Sequence, residues 1–272
     1  MKKQQSAGRK KQPVADPAVK QNTLFVSSLA KGLRILEAFD EEHQALSLGD
    51  LGRRTGLDKS ATQRLANTLH LTGYLSKDEA TKRFSPSHRF LEMAYAYSWS
   101  DPVVQLAMPK LNELAGRLGE TVNMAELSGS DIVYVIRIPC QRTGFAATLV
   151  GRRLPALSTS SGRAMLASLP PAERRVCIKN WPIRKFTSQT TLDRAAIGKL
   201  IDEAADKGYA IAQGELMMNE IGVAAPVIGS DGRPVAAVQC SVSAYHWTAK
   251  KVEREIVPFL LDTANAITPN IR

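Results

Sequence analysis

The sequence predicts an α+β fold in two parts, a small winged helix-turn-helix followed by a larger α/β domain. Residues 28–73 carry three helical periodicities in succession with glycine at the breaks, and residues 74–87 read as a short hairpin. From residue 100 onward strand-like runs alternate with helices. The expected division is a disordered basic arm over 1–22, a winged helix-turn-helix over 23–86, a linker helix over 87–99 and an α/β domain over 100–272.

In the first helix, residues 28–40, Leu29, Leu33, Leu36 and Phe39 recur at helical spacing. The next run begins with Ser47 and, three residues on, Asp50, the pattern of a capping box, and Gly56 suits the turn that ends a short helix. Asp58 then caps a third helix whose inner face is read as Ala61, Leu65 and Leu69, and Gly73 closes it. Two short strands around a polar turn at residues 78–81 complete a wing. Residues 88–99 are helical again and bring Tyr95, Tyr97 and Trp99, more apolar surface than a small domain must bury unless they form its core. Asp101-Pro102 marks a cap and first helical turn.

Further along, residues 131–138, 222–228 and 235–243 read as strands, the last two joined by a Gly-Ser-Asp-Gly turn. Thr190 and Asp193 suggest a capping box for a helix ending at Gly208, and residues 248–267 suggest one long C-terminal helix.

Composition narrows the class. The 272 residues are 44% apolar and 23% charged, and the longest apolar run is too short for a membrane span. The N-terminus is charged and lacks the apolar stretch of a secretion signal, which points to the cytoplasm. Cys140, Cys177 and Cys240 are too far apart for a zinc knuckle or redox pair and are expected to be reduced and structural. The net charge of +10 suggests a polyanionic partner, and residues 1–22 supply half of it, as an arm that is either a solvated tail or an accessory phosphate contact.

Three helices with a glycine turn and a hairpin form the arrangement that places one helix in the major groove of duplex DNA. The third helix must then show short polar or basic side chains outward, and Lys59, Ser60, Thr62, Gln63, Arg64 and Asn67 are such side chains. Gln63, Arg64 and Asn67 suit base edges, Ser60 and Thr62 suit phosphates, and Lys82 and Arg83 in the wing suit the backbone.

The runs SSLAKGLRILEAF, LSLGDLGRRTGLDKSATQRLANTLHLTGYL and RFSPSHRFLEMA resemble the N-terminal domain of IclR-type transcription regulators. LPALSTSSGRAMLA, GYAIAQGELMMNEIGVAAPV and GRPVAAVQCSVSA resemble the effector domain of the same family, and RLPALSTSSGRAMLA its branch governing aromatic-acid catabolism. Around Glu215 the chain departs from the family pattern, with Gln213 where an acid is common and Asn219 where a glycine is. The resemblance implies a GAF-like effector domain, dimers paired through the DNA-binding half, tetramers on DNA, and an effector pocket built from Ser158, Thr159, Ser160, Ser161 and Gly162 with Gln239 to Ser241.

The residues themselves add a chemical reason. A helix starting at Ser160 or Ser161 offers free N–H donors and a positive dipole end, which suit a small organic acid, although either serine could instead cap the helix. Met124, Val223 and Leu166 are candidates to enclose its body. The rival reading is a small-molecule-binding enzyme with an accessory basic domain. His43, His70, His88 and His246 are scattered, no nucleophile or phosphate-loop motif occurs, and neither an enzymatic activity nor a cofactor is expected.

Overall fold

The computed structural model describes residues 23–140 and 150–267; the basic arm read at residues 1–22 lies outside them. The chain divides into two compact units, the first ending at Tyr95 and the second starting at Ala96.

The first unit opens with α1 (Ser27–Leu36), which stops four residues short of the expected end as its last turn tightens: Ala38 and Phe39 N–H groups donate to the carbonyls three residues back. Its buried side is Gly32 and Ile35, continued by Ala38, while Leu29 and Leu33, expected on that side, are 63% and 50% exposed. α2 (Leu48–Thr55) starts on the Ser47/Asp50 capping box and ends at Gly56, whose φ of +70° is costly for any residue with a Cβ. α3 (Lys59–Leu71) starts on Asp58, which accepts from Ala61 N. β1 (Leu75–Lys77) and β2 (Phe84–Pro86) pair antiparallel, and Leu75 and Phe84 point into a core shared with Ile35, Leu46, Leu51 and Ala66. α4 (Arg89–Ser100) follows and spans the division at Tyr95, with Tyr95, Tyr97 and Trp99 exposed.

In the second unit α5 (Pro102–Leu118) is capped by Asp101, as expected. The strands are β3 (Thr121–Ser128), β4 (Asp131–Ile138), β5 (Arg153–Pro155), β6 (Ala210–Gln213), β7 (Glu220–Ile228) and β8 (Pro234–Ser243). They form one antiparallel six-stranded sheet in the order β5-β4-β3-β8-β7-β6. Alternation along each strand sends Val122, Met124, Val223, Val238 and Cys240 to one face, where α5, α9 (Ala249–Glu255) and α10 (Val257–Ala266) cover them. The opposite face packs on α6 (Ser160–Ala167) and α8 (Arg194–Lys207), with α7 (Pro171–Asn180) between them in sequence.

Two expectations are corrected here. The C-terminal helix is broken into α9 and α10 at Ile256, because Pro258 has no N–H to give to the preceding turn and its ring opposes a continuous helix. The cap of α8 is Asp193 alone, whose carboxylate accepts from Ala196 N (2.8 Å). Thr190 instead donates to Glu215 O (2.7 Å) and accepts from the N–H groups of Phe186 and Thr187.

Candidate functional site

On α3 the structure places Lys59, Ser60, Gln63, Arg64 and Asn67 on the exposed side, the geometry a groove-reading helix needs. Thr62 departs from that set. It is 1% exposed, its Oγ1 donates to Asp58 O (2.8 Å), and it packs beside Gly52 of α2, so it faces the three-helix core rather than a phosphate. The core side of α3 runs through Thr62, Ala66 and Leu69, rotated from the expected face at Ala61.

In the wing, Lys82 is exposed and its Nζ reaches Glu79 Oε2 (2.8 Å). Arg83, also exposed, is engaged within the unit: Nη1 donates to Ala45 O (3.0 Å) and to Asp50 Oδ2 (3.3 Å). Asp50 thus joins the capping box of α2 to the base of the wing, a long-range role that its local motif did not disclose.

The second unit holds a cavity of about 20 Å³ against the start of α6. The floor comes from Ser158, Thr159 and Ser160; strands contribute Tyr134, Ala212, Glu220, Gly222 and Gln239; the segment Glu215 to Met217 closes it. Of the expected effector residues, Ser158, Thr159, Ser160 and Gln239 line this space, while Ser161, Gly162 and Ser241 do not. Met124 and Val223 lie on the other face of the sheet and Leu166 packs with α8, so none of the three encloses the cavity. Apolar lining comes instead from Ala212, Leu216 and Met217.

The local folding explains the geometry. Thr159, not Ser160 or Ser161, is the cap of α6, its Oγ1 accepting from Gly162 N (3.0 Å). Every residue of α6 is buried, and at Gly162 a Cβ would fall 2.2 Å from Ala156 O, so only glycine lets the helix start sit against the turn before it. The hydroxyls of Ser158 and Ser161 are buried with no hydrogen-bond partner among the described residues. Gly222 keeps open the gap between α6 and the sheet: a Cβ there would lie 3.0 Å from Ser160 Oγ and 3.1 Å from Gln239 Nε2.

Charge is arranged around this space. Glu215 is held by Arg163 in a buried bidentate pair. Glu220 accepts from Ser241 Oγ (2.6 Å). Burial pushes the Tyr134 phenol well above its usual range, and the Glu220 carboxylate adds to that, so Tyr134 remains a protonated donor. Tyr134, Glu220, Gly222 and Arg163 were absent from the expected site. A glycine inside a strand, as at Gly222, was the available hint, since it marks close approach of a backbone or ligand. Among the described residues no cluster of His, Cys, Asp or Glu could hold a metal ion.

A winged helix-turn-helix and a separate α/β domain with a small cavity lined by both polar and apolar side chains are the parts of a transcription regulator that responds to a small molecule. The chain matches the IclR helix-turn-helix domain over residues 28–79 and the bacterial transcriptional regulator IclR C-terminal domain over residues 95–269, and it belongs to the IclR family. It is 31% identical over 238 residues to the Pca regulon regulatory protein of Pseudomonas putida, covering 87% of this chain and 81% of that one. It is 29% identical over 248 residues to the p-hydroxybenzoate hydroxylase transcriptional activator of Acinetobacter baylyi, covering 89% and 91%. An IclR homologue from Microbacterium hydrocarbonoxydans, solved as a complex with 4-hydroxybenzoate, superposes with a TM-score of 0.73 at 26% identity, covering 88% of this chain and 97% of that one. These relatives fit the branch of aromatic-acid catabolism.

Proposed function

We propose that this regulator reads a pseudo-palindromic operator with Lys59, Ser60, Gln63, Arg64 and Asn67 and is switched by a small organic acid, an aromatic carboxylate, bound between the start of α6 and β8. The observation that carries the effector assignment is the buried, unpartnered hydroxyl of Ser158, which lines the cavity beside a helix start whose first N–H groups have no intrahelical acceptor. A carboxylate satisfies such donors and gains from the helix dipole by about 0.3–2 kcal/mol. The 4-hydroxybenzoate complex of a structural relative supports the aromatic body.

A cavity of about 20 Å³ holds little more than one water, so the effector displaces its cover. Exposed Met217 belongs to that cover, and methionine repacks at small cost. In this reading the protein binds its ligand without converting it, in keeping with relatives that are named as transcription regulators. It acts in the cytoplasm, where its operator lies; no described helix is long and apolar enough to cross a membrane. Exposed Leu29 and Leu33 of α1 and Leu91, Met93, Tyr95 and Trp99 of α4 support pairing of two copies through the DNA-binding half, with residues 87–99 as the linker and a tetramer as the assembly on DNA. Residues 1–22 would add sequence-independent phosphate contacts.

Calorimetry on the full chain with benzoate, 4-hydroxybenzoate and matched neutral amides tests the effector assignment. Carboxylate binding that weakens in Ser158→Ala, with operator affinity in the absence of effector unchanged, is expected. Failure of every carboxylate to bind would overturn it.

A further inference from the structure

Four side chains of the sheet face under α6 form one continuous hydrogen-bonded row ending on a fifth. Arg137 of β4 stands opposite Asn123 of β3, and Asn123 opposite Gln239 of β8. Arg137 Nη1 donates to Asn123 Oδ1 (3.1 Å), Asn123 Nδ2 donates to Gln239 Oε1, Gln239 Nε2 donates to Ser241 Oγ (2.8 Å), and Ser241 Oγ donates to Glu220 Oε1 (2.6 Å). Asn123 and Gln239 are 1% and 2% exposed, so water does not compete for these bonds.

The direction of the row follows from chemistry at its first member. A guanidinium has donors only, so the Asn123 atom facing Arg137 must be its oxygen. That leaves the Asn123 nitrogen for Gln239, which forces Gln239 to answer with its oxygen and to turn Nε2 toward Ser241 and the gap at Gly222. At that gap a Cβ on residue 222 would sit 3.1 Å from Nε2, and Gln239 lines the cavity while Arg137 and Asn123 do not.

We propose that Arg137 and Asn123 are positioning residues for effector specificity: through this row they fix the Gln239 amide with its N–H toward the cavity, so that the site prefers a ligand group that accepts hydrogen bonds. The inference rests on the cavity being the effector site. It explains how an uncharged glutamine can favour a carboxylate over an amide of the same shape, since an amide that could turn freely would serve either.

Asn123→Asp tests it with almost no change of volume. A carboxylate beside Arg137 offers acceptors on both sides, so Gln239 must reverse, pointing Nε2 at the new carboxylate and Oε1 at the gap. In the full-length wild type, the Gln239 side-chain amide protons, identified by their loss in Gln239→Glu, should show a nuclear Overhauser contact to the Gly222 α protons, and in Asn123→Asp that contact should vanish. In calorimetry the wild type should favour 4-hydroxybenzoate over 4-hydroxybenzamide by about tenfold or more, and Asn123→Asp should bind the amide more tightly than wild type does. The added negative charge alone would weaken the carboxylate but would not strengthen the neutral amide. Arg137→Met, which frees Asn123 without adding a charge, should weaken the same contact and serves if Asn123→Asp fails to fold.

Persistence of the Gly222 contact in the folded variants overturns the proposal. If the contact switches but neither compound binds the wild type, the row stands as described and the assignment of the cavity as the effector site is what fails.

Discussion

Arg163 and Glu215, 52 residues apart in the chain, meet as a buried bidentate pair, with Nη2 to Oε2 at 2.8 Å and side chains 1% and 6% exposed. Arg163 Nε also donates to Leu157 O and Glu215 accepts from Thr191 N, so the pair fastens α6 to the segment that covers the cavity. Removing either partner leaves a buried charge uncompensated. Arg163→Met or Glu215→Leu alone should cost about 3–5 kcal/mol, and the two together distinctly less than their sum. Urea unfolding of the effector domain's tryptophan signal measures this, and additive losses would show that the two side chains do not act as a unit.

Operator binding separates the outward side of α3 from its inward one. Gln63→Ala or Arg64→Ala should cost about 1–3 kcal/mol on the cognate site and relax preference at one base position. Thr62→Val, which keeps the buried shape and loses the bond to Asp58 O, should leave sequence preference unchanged. Fluorescence anisotropy against a set of single-base operator variants distinguishes the two. A specificity change in Thr62→Val would reverse the placement of that side chain.

The DNA-binding unit should soften in acid. Burial pushes the Asp40 carboxyl up, but the bond from His43 Nδ1 (2.6 Å) and the Arg54 guanidinium (2.6 Å) outweigh it and hold it below its usual value. The Ser47 hydroxyl and N–H do the same for Asp50. A folded pKa below the unfolded one stabilises fully above the unfolded value, about 4, and that stability is lost as pH falls through the folded value. Amide protection factors over residues 46–57 should therefore fall below about pH 4, less steeply in Asp40→Asn. Parallel pH profiles for the two proteins would remove Asp40 from the account.

Two glycines at the cavity should respond differently to alanine. At Gly162 the added carbon would meet backbone at 2.2 Å, which cannot yield, so Gly162→Ala should lower the melting temperature of the effector domain sharply. At Gly222 it would meet two side-chain atoms at 3.0 and 3.1 Å, which can shift, so Gly222→Ala should fold and lose effector affinity instead. Circular dichroism melts and calorimetry on both variants show whether the two effects separate this way.

What the sequence disclosed was local in origin. Ser47 with Asp50, Asp58 before α3, Asp101-Pro102 and Gly208 each act on atoms within a few residues, and each stands where the pattern put it. Orientation about a helix axis was less legible. Leu29 and Leu33 repeat at the right spacing yet face outward, because the core side of α1 runs through Ile35 and Ala38 with Leu36 and Phe39 packed beside it, and Thr62 is drawn inward where Gly52 lets α2 approach. Thr190 bonds to Glu215 rather than to its own helix, and Arg163, Tyr134 and Glu220 gather at one cavity through strand order. No spacing rule within a single segment carries such information. The residues of the α6 start were accessible because helix termini have a chemistry of their own; the carboxylate of Glu220 was accessible only once β7 lay beside β8.

At the centre of the sheet, β3 lies against β8, with Thr121 opposite Ser241. The two strands belong to opposite ends of the effector domain, so on the ribosome the middle of that sheet cannot close until β8 has left the exit tunnel. Every pairing in the first unit joins residues synthesised within a short interval, and low separation between partners favours rapid folding. The partners that close the reading head are thus all made before the strand that completes the sensor's sheet, so folding of the first unit need not wait for the end of the second.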